Sequence, residues 1–321
     1  MNISLTETAE FLKNHDNYYI LTHQSPDGDT MGSGFGLCYA LRQMGKKANV
    51  LCSDEFPKRY HFMYEGYEPQ KFSPETIVAV DVADKKLLGS KLIQYGDYVN
   101  LCIDHHVSNL HYAERLLVNP DAAAACEVIY QVLGELGIEF TRQIAECLYT
   151  GIATDTGCFK YGNTTQLCHI ITAHLMDCGI RMEQINREMF DTKSKARLKV
   201  EQHIISAMEY YLDDKCAMVA VTLETMKKAG LAPEEFEGIA GMSVQTEGVQ
   251  VGVVIREKDK NKFKVSMRST SDIDVSAICQ KFGGGGHIKA AGCTLEGNLD
   301  DVKLRLLSGI APAMGIDLWL A

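Results

Sequence analysis

A chain of 321 residues is longer than one typical core organises, so two domains are expected. Apolar residues make up 46% and charged residues 23%, the balance of a soluble globular protein. The formal charge of −10 argues against a protein that coats long nucleic acid by counterion release, though not against one that holds a small anion in a local pocket. The eleven cysteines are odd in number and include no CxxC pair. That pattern suits buried free thiols in a reducing compartment better than a disulfide framework or a structural zinc site. The polar start MNISLTETAEFLKNHD does not read as a signal peptide, and no apolar run approaches the roughly 20 residues of a bilayer-spanning helix. A cytoplasmic protein that does not engage a membrane is expected.

In chain order, YYILTH (18–23) reads as a strand, then a loop and the helix GFGLCYALRQMG. ANVLCS (48–53), TIVAVDVAD (76–84) and YVNLCIDHH (98–106) read as further strands with little polar alternation, as in a parallel sheet covered on both faces. Helical patterns follow at 126–137, 142–157 and 165–179. This alternation predicts an α/β domain over residues 1–190, a mostly parallel sheet flanked by helices. A charged helical stretch from Arg181 to Asp213, with a break near Asp191, predicts a helical linker over 191–213. A smaller α/β domain is expected over 214–321. It would hold strands 216–224, 249–257 and 262–269, the helix DVSAICQKF, the run GGGGH (283–287) and a closing helix from Leu299.

In open α/β sheets, ligands bind beyond the carboxyl ends of the strands. There the chain places His23, then Asp27 and Asp29 in the loop; Asp81; and Asp104, His105 and His106. Asp155 lies in TDTG, at the end of a helix. Such carboxylates placed together repel and raise one another's pKa values, and a cation removes that penalty. Oxygen-rich ligands with a few imidazoles suit Mn²⁺ or Mg²⁺. The number of ligands suits two ions about 3.5–4 Å apart with a bridging carboxylate. Asp81 follows four apolar strand residues, where an unpaired charge is expensive. If 104–106 stayed extended, His105 would face away from its two neighbours, so not all three can join one cluster without a turn. The simplest assignment makes His105 a ligand and His106 a phosphate-facing group, with Asp104 orienting an imidazole through its N–H.

Gly32, Gly34 and Gly36 follow the spacing GxGxG behind two aspartates that would repel a pyrophosphate, so a dinucleotide fold is disfavoured. Gly32 and Gly34 are better read as letting the loop and helix start pack tightly behind the cluster. GxSxG and GxxxxGK[ST] motifs are absent. In the second domain, GGGGHIKAAG (283–292) offers backbone amides for an anion nest, with His287 and Lys289 adding positive charge. Arg268, at a strand end before Ser269, suits bidentate phosphate recognition.

HQSPDGD (23–29), VAVD (78–81), DHH (104–106) and TDTG (154–157) resemble, in order, the four motifs of the DHH phosphoesterase superfamily. SMRS (266–269) and GGGGHIKAAG resemble its associated C-terminal domain. Length and domain pairing are most similar to the subfamily of bifunctional oligoribonucleases (nanoRNases) and 3′-phosphoadenosine 5′-phosphate phosphatases. The resemblance implies a hydrolase with two Mn²⁺, Mg²⁺ or other divalent ions being alternatives, and an active site in the interdomain cleft. His23 and Asp27 would hold one ion; Asp29, His105 and Asp155 the other; and Asp81 would bridge. His106 would meet the scissile phosphate and protonate the leaving group, and with Asp81 and Asp104 it makes up the implied catalytic set. Arg268, Ser269, Gly285, Gly286 and His287 would grip the nucleotide, and Lys160 stands where an arginine would serve equally as a phosphate contact.

The implied substrates are nanoRNA, dinucleotides such as pGpG or pApA, and the nucleotide bisphosphate, hydrolysed by water activated between two metals. A soluble cyclic-dinucleotide phosphodiesterase of the same superfamily is the alternative. No binding to long nucleic acid is expected, and a homodimer is compatible with the pattern.

Overall fold

The computed structural model describes residues 1–230, 236 and 238–316. It divides into two compact units, Met1–Thr192 and Lys193–Ala321.

The first unit opens with helix α1 (Leu5–Asn14), whose Ser4 and Glu7 form a capping box. Strand β1 (Tyr18–Leu21), helix α2 (Gly28–Gln43), strand β2 (Ala48–Leu51), the short α3 (His61–Tyr64) and strand β3 (Thr76–Val80) follow. Next come β4 (Leu101–Asp104), β5 (Arg115–Val118), α4 (Ala125–Leu136), α5 (Arg142–Asp155), α6 (Gln166–Asp177) and α7 (Met182–Asn186). The five strands are all parallel, in the order β2-β1-β3-β4-β5. Both faces of the sheet are buried, and the two-residue period explains why these strands read as unbroken apolar runs. Ile20, Val78, Val80, Leu101 and Ile103 pack into the core with α2, α4 and α5. Leu21, Ile77, Ala79 and Cys102 face a second cluster with Leu88 and Leu92.

β1 lies between β2 and β3, so the chain leaves β1 in opposite directions on its two sides. That makes the carboxyl ends of β1 and β3 the topological switch point, where an open α/β sheet forms its natural crevice.

The helix expected to start near Gly34 begins at Gly28. Its N-cap is Asp27, whose carboxylate accepts from the amides of Asp29 and Thr30, so Asp29 stands in the first turn rather than in a loop. Gly28, Gly32 and Gly36 recur every fourth residue and form a stripe against α5. A Cβ on Gly32 would fall on the carbonyl of Cys147, and one on Gly36 would lie 3.0 Å from Leu148. These glycines bring two helices into close contact behind the sheet edge and cradle no phosphate.

The second unit contains α8 (Lys195–Ser206), β6 (Glu209–Tyr211), β7 (Cys216–Val221), α9 (Leu223–Ala229), β8 (Val251–Asp259) and β9 (Lys262–Ser269). α10 (Val275–Gln280), β10 (Gly285–His287), β11 (Ala290–Glu296) and α11 (Leu299–Ala313) complete it. The sheet order is β10-β11-β9-β8-β7-β6, with β7–β8 the parallel pair and the other pairs antiparallel. Residues 193–213, read from sequence as part of a linker, fall in this unit: Val200 and Ile204 of α8 pack on Val219, Val221 and Val254 of its sheet. The strand expected over 216–224 stops at Val221, because the Thr222 hydroxyl caps α9 by accepting from the amide of Thr225. β5 and β11 are strands that apolar pattern alone missed. In β11 (AAGCTLE) small residues hide the alternation of buried and open positions.

Candidate active site

Four segments converge at the switch point. His23 follows β1, Asp27 caps α2, Asp29 lies in its first turn, and Asp81 follows β3. His105 and His106 follow β4, and Asp155 ends α5. Asp81 is the pivot. It leaves the strand with φ +57, a left-handed conformation costly for a residue with a Cβ, while its amide donates to Ile103 O at 2.9 Å. Its side chain is 2% exposed, and Oδ1 is buried without a hydrogen-bond partner. His105 Nε2 and His106 Nδ1 lie 3.6 Å from Oδ1, and His23 Nε2 lies 3.6 Å from Oδ2. His105 Nε2 also stands 3.3 Å from Asp155 and 3.7 Å from Asp29, and His23 Nε2 stands 3.6 Å from Asp27.

The imidazoles are aimed by their other nitrogens. His23 Nδ1 is 2.8 Å from the carbonyl of Gln24, and His105 Nδ1 is 3.2 Å from that of Ala122. With Nδ1 turned to a carbonyl, each Nε2 points into the cluster, where a neutral imidazole would offer its lone pair to a cation. The chain turns after Asp104, which resolves the conflict of facing expected for an extended DHH. His106 folds back so that its Nδ1 lies 2.8 Å from Asp104 Oδ1, while both histidines still reach Asp81.

Two supports were not legible in the sequence. Asp29 accepts from the amides of Ala125 (2.6 Å) and Cys126 (2.9 Å), so a carboxylate from α2 caps α4, whose own N-cap residue Ala124 has no capping side chain. Asn109 donates from Nδ2 to Asp104 Oδ2 at 2.6 Å. Neither leaves a periodic signal, because one spans nearly a hundred residues and the other is a single amide in a loop.

The electrostatics mark a cluster of carboxylates short of positive charge. Burial holds Asp81 well above the usual carboxylate range, with Asp29 and Asp27 adding to the effect. Burial and then the charges of Asp29 and Asp27 push Asp155 up to about 9. For His23 burial opposes the charge, but Asp27 and Asp81 outweigh it and push the imidazole up to about 11. Asp104 behaves oppositely to Asp81. Burial works against its charge too, yet donors from His106, Asn109 and the His105 amide hold it low.

Among the described residues, three sets of ligand atoms lie within 4.8 Å of one another: His23, Asp27 and Asp81; Asp29, His105 and Asp155; Asp81, His105 and His106. All are oxygens and imidazole nitrogens, the donor set of a hard or borderline divalent cation. The unpartnered Asp81 Oδ1 is the atom such an ion would satisfy. The residues therefore fit a divalent metal.

Lys160 is exposed in the turn after α5, preceded by Gly157, Cys158 and Phe159 at φ +57, +59 and +62. In the second unit, Ala290 of β11 pairs with Arg268 on one side and His287 on the other, so the three form one row across the sheet. The next row on that face is Ser266, Gly292 and Gly285. The intervening residues Met267 and Ala291 face the core. The glycine run, expected as a nest, begins in a turn with Gly283 at φ +72, and Gly285–His287 form the sheet's edge strand. Gly286 is required there: its φ is +143, and a Cβ would meet Ala290 O at 2.6 Å. At Gly285 a Cβ would meet nothing within 4 Å, so the absence of a side chain keeps that face open. Ser269 Oγ donates to the carbonyl of Ser271 at 3.0 Å. Among the described residues, no helix is long and apolar enough to cross a membrane.

The N-terminal domain of the DHH family matches residues 17–152, and the DHHA1 domain matches residues 214–308. A relative from Thermus thermophilus, called bifunctional oligoribonuclease and PAP phosphatase NrnA, is 33% identical over 94% of this chain and 92% of its own length. The Bacillus subtilis protein of the same name is 24% identical over 90% of this chain and 93% of its own. In fold, the chain is similar to the crystal structure of an exopolyphosphatase-related protein from Bacteroides fragilis, with a TM-score of 0.84. That match has 24% identity and covers 97% of this chain and 95% of that one.

Proposed function

The chain belongs to the DHH family of phosphoesterases and is a hydrolase, and on that premise we propose its substrates and the residues that act on them. It hydrolyses short oligoribonucleotides, including dinucleotides such as pGpG and pApA, to mononucleotides, and 3′-phosphoadenosine 5′-phosphate to AMP. The relatives' names support this substrate class, and a cytoplasmic place is part of the proposal. Two divalent ions, preferentially Mn²⁺, would be held by His23 and Asp27, and by Asp29, His105 and Asp155, with Asp81 shared. When bound, such ions supply positive charge to the phosphoryl oxygens and acidify water near neutral pH.

The chain's own side chains do the rest. Asp81, with its left-handed backbone and buried unpartnered Oδ1, is the observation that carries the assignment. A strained, desolvated carboxylate is costly, and a cation-binding role would account for that cost. His106 is held at Nδ1 by Asp104, which leaves Nε2 for the substrate. In hydrolysis the P–O bond to the leaving nucleoside breaks as water oxygen bonds to phosphorus. The departing oxygen takes a proton, and His106 is the group placed to give it. Arg268, Ser269, Gly285, Gly286 and His287 form the nucleotide grip of the second domain, the catalytic domain being the first. Lys160 adds a point charge for phosphate.

Initial rates with Mn²⁺ on pApA, pGpG, 3′-phosphoadenosine 5′-phosphate, cyclic di-AMP, a 5-mer RNA, a 24-mer RNA and pyrophosphate test the proposal. The first three and the 5-mer should turn over fastest. A preference for cyclic di-AMP would move the enzyme to the cyclic-dinucleotide class, and one for pyrophosphate would overturn the substrate class.

A further inference from the structure

We propose that Asn109 is a positioning residue for hydrolysis, acting on His106 through Asp104; the inference rests on the proposed role of His106 toward the leaving oxygen. Asp104 is fully buried, and its carboxylate has room for about four donors. Oδ1 receives the amides of His105 (2.8 Å) and His106 (3.3 Å) and faces His106 Nδ1 at 2.8 Å. Oδ2 receives Asn109 Nδ2 at 2.6 Å. Asp104 is thus occupied by orienting contacts, and Asn109 is the side chain that ties down its outer oxygen.

The Asn109 amide has one orientation. Its Oδ1 accepts from the amide of His111 at 2.8 Å, which directs Nδ2 toward Asp104. The loop itself is pinned by backbone contacts, from Asn109 N to His106 O (3.1 Å) and from Leu110 N to Ala83 O (2.8 Å). Removing the side-chain amide would leave these backbone contacts in place, while taking a donor from Asp104 Oδ2 and Cys102 Sγ and the acceptor from the His111 amide. Oδ2 would be left buried without a donor, which is unfavourable. Rotation of the carboxylate toward other donors would then carry Oδ1 away from His106 Nδ1. The imidazole would lose its fixed direction, while His105, anchored on Ala122 O, would keep its own.

Asn109→Ala, His106→Ala and the double variant should be compared with the parent protein in Mn²⁺ on two substrates. From pApA the leaving group is an alkoxide that needs a proton, and from bis(4-nitrophenyl) phosphate it is a stable phenolate that does not. For Asn109→Ala we expect kcat on pApA to fall about 10–100-fold with KM little changed, and the aryl ester to be far less affected. In the His106→Ala background, Asn109→Ala should add no further loss. Equal losses on both substrates, or a full additional loss in the double variant, would overturn the inference and make Asn109 a support of the fold or of His105. If His106→Ala itself shows no leaving-group preference, the role of His106 fails first and the inference falls with it. Asn109→Ser, which keeps a short donor, should recover part of the rate. It carries the same comparison if circular dichroism shows that Asn109→Ala does not fold.

Discussion

Helix α5 carries a carboxylate near each end, and the two behave as opposites. Near the N-terminal end, Glu146 is 4% exposed at its side chain and is bound by Arg181 through its amide (3.0 Å), Nε (2.8 Å) and Nη2 (2.6 Å), and by Arg142 Nε (3.0 Å). Burial works against its charge, but these donors hold its carboxyl below the usual range. At the C-terminal end, Asp155 faces Asp29 and Asp27 and is pushed up to about 9. A buried carboxylate with its own guanidinium is architecture. Asp155, half-buried and facing two carboxylates besides the His105 imidazole, is a place where a cation would be accommodated.

If this contrast is right, substitutions at the two kinds of site should separate activity from stability. The largest effect is expected for Asp81→Ala, which should lower Mn²⁺-dependent hydrolysis by about a thousandfold or more without loss of fold. Near-normal initial rates would sink the shared-ligand assignment. Arg268→Ala should lower kcat/KM on pApA about 10–100-fold, the worth of a charge-assisted hydrogen bond, while bis(4-nitrophenyl) phosphate barely changes. Equal losses would make Arg268 structural.

Glu146→Gln should do the reverse. Turnover per folded molecule should hold, and stability should drop by about 1–3 kcal/mol. Because the folded carboxyl is lowered, its contribution is present above the unfolded pKa and is lost as pH falls through the folded one. The gap in Tm between parent and variant should therefore close below about pH 4. A gap that persists in acid would show that the pair is not its origin. The smallest effect is expected for Asp155→Asn in chelator. A carboxyl raised to about 9 weighs on the fold increasingly as pH climbs from the unfolded value toward 9, so the variant should melt a few degrees higher at pH 8 and equally at pH 4. A lower Tm at pH 8 would mean that the charge is already compensated.

Much of the site could be read from short motifs. HQSPDGD, VAVD, DHH and TDTG each lie within a few residues of a strand or helix end, so their chemistry and approximate placement were local facts. The first sheet was legible for the same reason, since strands buried on both faces are apolar without interruption. Pattern reading failed where small residues carry the structure. β11 was missed, and GGGGH suggested a nest where the chain makes an edge strand.

By itself, then, the amino-acid sequence determined which groups are available, because ligand identity is a property of single side chains. Only the tertiary structure decided how each one is held. The left-handed turn at Asp81, the capping of α4 by Asp29, the Gly28–Gly32–Gly36 stripe on α5 and the grip of Asn109 on Asp104 all join residues through backbone groups and close packing. Amides and carbonyls are the same in every residue. Which of them meets a given side chain is therefore set by the path of the chain in space and leaves no mark on its order.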